Sequence, residues 1–348
     1  MTLLRNQSAA IRGIAILMIV LHNVTHFLSP AKTNEFAFYQ DRLDFYLTHW
    51  TVDPITYFFS FYGWIGVAFF VFISGYGLTA KYGRAEFNPL RWILKHYLKL
   101  VFLLMPALIV LFSFEGKTII GDSWKAIAYY YFLEQFMILN ILDPELIWPG
   151  IYWYLGMALQ LYIIFVFIRR LPSRYLLLLV SLACIFMAFT SLEMVRYLRH
   201  NFIGWLPEFI FGILCFRLKG SGNILPVTGK SMLIRVLCIV TLAGIFIVVS
   251  LTRYTFFLGG VAFVAFLLCF KGWISKLLVF KHLGEISAAL YITHAFVRHI
   301  WLTHFELSKG LSPMTNALIV LCLAIILAIP YEYYYRHISS RLERRQQS

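Results

Sequence analysis

Three groups that can move a proton or hold an anion stand on one apolar run, "RGIAILMIVLHNVTHF", Arg12 to Phe27. A neutral imidazole at His22 or His26 can take a proton from a hydroxyl, and a positioned base of this kind speeds such reactions about 10²–10⁴-fold. Arg12 carries a guanidinium suited to a phosphate or a developing oxyanion. At 100° per residue, Asn23 lies about 20° around the helix from Arg12, His26 about 40° to the other side and His22 about 80°. All four share one broad face. Along the axis His22 is about 15 Å, and His26 about 21 Å, deeper than Arg12. A snorkelling arginine, or a histidine bonded to a neighbouring helix, accounts for each group singly. Three on one face exceed what anchoring requires, and ionisable groups inside a membrane span mark function.

Other stretches add to this set. In "NPLRWILKHYLKLVFLLMP", Arg91, Lys95 and Lys99 follow at i, i+4, i+8 and form one basic stripe. Such a stripe faces anionic head groups or clamps a phosphorylated ligand. Ser287, Tyr291 and His294 also share one helix face. "GWIGVAFFVFISGYGLTAKY" has Gly63, Gly66, Gly75 and Gly77 for close helix approach, and Ser74 to bond across an interface. "WYLGMALQLYIIF" contributes Trp153, Gln160 and Tyr162. Glu208 is an acid in an apolar run and needs a partner, for which Arg298 is one candidate. The five cysteines lie in apolar runs at spacings that match no zinc motif. They read as small buried hydrophobes, with neither a disulfide framework nor a metal site expected.

The elements that must position these groups are membrane helices. Hydrophobic residues make up 61% and charged residues 13%, against about 25% charged in soluble domains. The expectation is an all-α integral membrane protein, a single domain over residues 1–348, with no internal repeat. No small-residue cleavage site follows the first run, so that helix is expected to be retained. Runs of about 17–25 apolar residues place ten spans near 9–28, 57–79, 98–113, 151–168, 174–190, 202–217, 232–251, 254–270, 285–302 and 315–335. The segment 124–142 reads either as an eleventh span or as an interfacial helix. With ten spans and both termini cytoplasmic, 21 of the 30 Lys and Arg fall inside and 8 outside, and Arg298 lies within a span. An eleventh span would erase this bias, which is the expected one. The net charge of +14 therefore reads as orientation in the membrane rather than as nucleic-acid binding.

Taken together these pieces resemble the acyltransferase 3 family, membrane enzymes that acylate bacterial glycans. "RGIAILMIVLHN", "FFVFISGYGL", a basic run leading to "LMP", "WYLGMALQLY", "LPEFIFGILCFR" and "LGEISAALYITH" occur in the family's order and cover nearly the whole chain. The resemblance implies ten spans in the inner cell membrane. It also implies transfer of an acyl group, by default acetyl, from acyl-coenzyme A to a glycan hydroxyl, with no permanently bound cofactor. Arg12 matches the family's first-span arginine. The family histidine falls one residue after His22, where this chain has Asn23, so the base is His22 or His26. Where many relatives carry carboxylates in the fourth span, this chain has Ala158 and Leu159. Arg91, Lys95 and Lys99 would face the donor's phosphates, and Arg12 or Tyr291 would serve the oxyanion. Segments 29–56 (Asp41, Asp44, His49 and Asp53) and 114–150 would hold the sugar. The rival reading is a proton-coupled transporter of a small polar solute, since lines of intramembrane Arg and His also occur there. Transporters often show internal repeats, and none is found here.

Overall fold

In the computed structural model, which describes residues 3–30, 32–120, 150–218 and 232–344, the chain is helical and has no strand among the described residues. The helices are α1 (Arg5–Leu28), α2 (Gln40–His49), α3 (Pro54–Tyr62), α4 (Ile65–Tyr82) and α5 (Pro89–Ile120). They continue with α6 (Trp153–Ile168), α7 (Ser173–Phe189), α8 (Leu192–Arg199), α9 (Leu206–Arg217) and α10 (Met232–Ser250). The last are α11 (Gly259–Leu268), α12 (Lys271–Ile274), α13 (Leu278–Glu285), α14 (Ser287–His304) and α15 (Pro313–Arg344). Among the described residues, four helical stretches are long and apolar enough to cross a bilayer: Arg5–Leu28, Ile65–Tyr82, Pro89–Leu111 and Pro313–Glu343. Shorter apolar helices lie between them.

Local sequence explains the helix starts. Asp53, Asn88 and Ser312 each precede a proline at the first helical position, and each accepts a backbone N–H three residues on, at 3.1 Å. Proline loses nothing there because its missing donor would have no intrahelical partner, and the side-chain oxygen satisfies an end that helix geometry leaves open.

Several expected spans are not single helices. The span 57–79 is divided into α3 and α4 at Gly63–Trp64, and 254–270 opens with a 3₁₀ turn, Phe256–Leu258, before the short α11. The span 202–217 likewise begins with a 3₁₀ turn, Phe202–Trp205. The span 98–113 starts earlier, at Pro89. Helical periodicity carries no mark of such breaks when the flanking residues are all apolar. The segment 124–142 lies outside the described residues.

Helix α1 runs through the middle of the bundle and packs on α13, α15, α3, α4 and α14. Its closest approach is to α13, where Gly13 faces the backbone of Phe280 and Gly284 faces that of Ala9, leaving no room for a β-carbon on either. Helices α4 and α9 meet in the same way at Gly75 and Gly212. Gly77, expected to serve such a contact, faces open space instead. On α7 the large apolar side chains Leu182, Ile185, Phe186 and Phe189 are exposed. An outward apolar face of this kind is what a lipid environment selects.

Candidate functional site

The polar face of α1 opens on two cavities that share no lining residue. One, of about 520 Å³, is lined by His22, Asn23 and His26. The other, of about 220 Å³, is lined by Arg12. The shared face of α1 therefore serves two cavities rather than one. Tyr291 on the wall of the Arg12 cavity donates its hydroxyl hydrogen to the carbonyl of Ile151 on the wall of the His22 cavity, so one hydrogen bond joins the two walls.

At His22, the ring Nδ1–H donates to the carbonyl of Phe59 at 3.0 Å. A neutral imidazole has one donor and one acceptor nitrogen, so this bond leaves the lone pair on Nε2. That nitrogen lies 3.6 Å from a carboxylate oxygen of Glu35. His22 is buried, as is Glu35. Gly63 makes the arrangement possible. A β-carbon there would stand 2.5 Å from His22 Cβ and 2.6 Å from the Phe59 carbonyl oxygen, so the missing side chain lets α1 and the end of α3 come close enough for that carbonyl to meet the ring.

His26 stacks on His22 with ring centroids 5.2 Å apart, but its chemistry is reversed. Its Nδ1 accepts from the Thr33 backbone N–H at 3.3 Å, so in the neutral ring the proton sits on Nε2 and no acceptor remains free. Asn23 turns to His294, its Nδ2 donating to His294 Nε2 at 3.1 Å while His294 Nδ1–H donates to the Leu290 carbonyl at 3.0 Å. Arg298 donates to the Asn23 carbonyl at 3.1 Å and lines the His22 cavity with Trp153.

The Arg12 cavity gathers Ser74, Tyr162, Ser287 and Tyr291 from the expected set. It adds Tyr154 and Tyr335. The buried Nε of Arg12 has no hydrogen-bond partner among the described residues. An unpaired buried donor is costly unless something accepts from it, so the cavity is suited to a ligand with an acceptor oxygen.

Other expected site residues lie elsewhere. None of Arg91, Lys95 and Lys99 lines either cavity, and Lys99 pairs with Glu343 at 2.7 Å. Gln160 is buried in a structural bridge: its amide donates to Asn201 at 3.0 Å and accepts from the Phe202 N–H at 2.9 Å. Glu208 is fully buried, and the partner is Arg199, at 3.9 Å, rather than Arg298. Arg199 also donates through Nε to the backbone carbonyl of Glu35 at 3.0 Å, and its guanidinium lies 3.8 Å from the Trp205 ring. Burial lowers the pKa of Arg199 and the charge of Glu208 raises it. The pair therefore fixes the backbone of the acid that faces His22.

Sequence reasoning missed Glu35, Phe36, Arg199 and His200. The available signal was slight: Glu35 is the one acid between the histidine helix and Asp41. His200 stacks on Phe36 at 3.9 Å, and burial lowers its pKa, which favours the neutral ring. Asp41, Asp44, His49 and Asp53 line neither cavity, and of the segment 114–150 little lies within the described residues.

A family model for an acyltransferase domain, the acyltransferase 3 family, matches residues 8–333, nearly the whole chain. Comparison with curated proteins and with solved structures found no match to this chain.

Proposed function

The chain belongs to the acyltransferase 3 family and is a membrane acyltransferase, and from that premise we propose that it moves an acetyl group from acetyl-coenzyme A to a hydroxyl of a cell-envelope glycan, with His22 as the general base. The observation that carries the reading is the directed tautomer at His22. Its Nδ1–H is held by the Phe59 carbonyl, and its Nε2 faces the cavity beside Glu35.

In this reading the glycan hydroxyl gives its proton to His22 Nε2 as its oxygen attacks the thioester carbonyl. Glu35 stabilises the imidazolium that forms. The tetrahedral oxyanion collapses, the carbon–sulfur bond breaks, and His22 returns the proton to the departing thiolate. The products are a glycan ester and coenzyme A. The unpartnered Nε of Arg12 supports a donor entering from the other cavity. For the thioester to reach His22, the two walls that the Tyr291–Ile151 hydrogen bond joins must part. Ten spans, both termini cytoplasmic and residence in the inner membrane complete the proposal, supported by the bias of Lys and Arg to one side. The Arg12 cavity is then on the cytoplasmic side and the His22 cavity on the outer side.

The test uses the full chain in vesicles with acetyl-labelled acetyl-coenzyme A and the host's envelope glycans. The expected result is alkali-labile label on glycan with stoichiometric release of coenzyme A thiol. Solute taken up into the vesicles with no ester formed would replace this reading with the carrier.

A further inference from the structure

We propose that the acceptor is an anionic glycan, carrying a carboxylate or phosphate on a different carbon from the hydroxyl that is acylated. The inference rests on the acyl-transfer reading and adds the acceptor's charge to it.

Three arginines, Arg42, Arg196 and Arg298, line the His22 cavity, and the one acid among its lining residues is Glu35. Lys32 stands close by: its ammonium donates to the His26 carbonyl at 3.1 Å. Its pKa is lowered by burial and, after that, by the charge of Arg42. Like charges this close are unfavourable in a partly desolvated cleft, and such a cleft concentrates ions of opposite sign.

Elsewhere in the molecule some cations meet acids, as Lys99 meets Glu343 and Arg336 meets Glu332, and others, such as Arg169 and Arg217, are held by backbone carbonyls. Two of the cavity arginines are of the second kind. Arg42 donates to the Thr33 carbonyl at 2.7 Å and lies 4.1 Å from the Tyr39 ring centroid. Arg298 donates to the Asn23 carbonyl and lies 5.4 Å from the Phe27 ring centroid. Neutral groups thus hold both guanidiniums in place, and neither forms an ion pair with a carboxylate among the described residues. A guanidinium held this way keeps planar donors that match a carboxylate or phosphate.

The floor of the cavity limits where the anion can sit. Glu35 faces His22 at 3.6 Å and repels a negative group at the reacting carbon. An acceptor that satisfies both ends puts its hydroxyl at His22 and its anion among the arginines. Phe36 and Trp153, in edge contact at 5.3 Å, also line the cavity and offer ring surface to the sugar.

The probe pair is methyl glucuronide and methyl glucuronamide, which present the same hydroxyls and differ in one charge. Methyl glucoside 6-phosphate replaces the carboxylate by phosphate and separates the two anion sources. With the full chain in vesicles, both binding and acetyl transfer are measured. The expected result is a kcat/KM for the glucuronide at least about tenfold above that for the amide, a factor of ten being one well-made contact. The advantage shrinks in high salt, falls toward one in Arg42→Gln and Arg298→Gln, and is largely kept in Arg42→Lys. Equal or better use of the amide overturns the inference and leaves acyl transfer standing. Charge-selective binding with no transfer to any probe keeps the anion site and counts against the acyl-transfer reading. Competition by 3′,5′-ADP, the anionic end of coenzyme A, that is lost in Arg42→Gln would place the donor in this cavity and overturn the inference.

Discussion

The two cavities on α1 are built from different material. Around Arg12 the walls come from regular helices, α1, α4, α5, α6, α14 and α15, with tyrosine and serine as the polar groups. Around His22 the end of α1, the start of α6 and Arg298 of α14 contribute, and the rest comes from the irregular stretch 33–39, the start of α2, a 3₁₀ turn at Gly150–Tyr152 and the end of α8. Non-helical backbone at membrane depth is tolerated where it is buried in protein or lines a cavity. The contrast suits a division of labour. A donor that every turnover uses is met by a pocket of long helices, and an acceptor that must be told from other glycans is met by charges and rings carried largely on short helices and loops.

The largest effect that bears on this contrast concerns the two stacked histidines. His22→Gln is expected to lower kcat about 10²–10⁴-fold, the usual worth of a general base. His26→Gln, which removes a ring whose acceptor nitrogen is already occupied by Thr33, is expected to stay within about tenfold of wild type, by comparison with that range. Initial rates of ester formation at saturating donor check both. Equal losses would mean that the tautomers do not assign the base, and the site would then be a histidine pair.

A smaller effect separates the cavities by substrate. Arg12→Met is expected to raise the KM for acetyl-coenzyme A about 10–100-fold, as a charge-assisted hydrogen bond of about 1.5–3 kcal/mol implies, and to leave the KM of the acceptor unchanged. A rise confined to the acceptor would exchange the roles of the two cavities.

The Arg12 cavity was the more legible in the sequence. Arg12, Ser74, Tyr162, Ser287 and Tyr291 were all marked as candidates, and all five line it. Regular helices allow this, because 100° per residue turns spacing into direction. The His22 cavity was legible only where it lies on the long apolar runs, at His22, Asn23, His26, Trp153 and Arg298. Arg42 and Arg196 counted only as loop charges, and Glu35 carried no motif. Their positions depend on where the chain returns after α1 and α7, which periodicity does not encode. The pairing of Glu208 failed for the same reason. Arg298 shares an apolar run of its own with His294, whereas Arg199 reaches Glu208 only through the turn at Phe202–Trp205.

The smallest expected effect tests where the donor site ends. Lys99 belongs to the basic stripe on α5, two residues of which neighbour it at i−4 and i−8. The adjacent Leu100 lines the Arg12 cavity, but Lys99 does not, and its ammonium is held by Glu343 at 2.7 Å. A paired lysine offers little net charge to a phosphate. Removing it also exposes the freed Glu343, which is half in solvent and screened, so the pair is worth only about 0–1 kcal/mol. Lys99→Met is therefore expected to change the KM for acetyl-coenzyme A by less than about fivefold, the factor that such an energy allows. Lys99→Met with Glu343→Gln, which removes both charges, should behave like wild type. If the single variant instead matches the loss in Arg12→Met, Lys99 must leave Glu343 when the donor binds, and the donor site would extend from the tyrosine-lined cavity along the whole stripe.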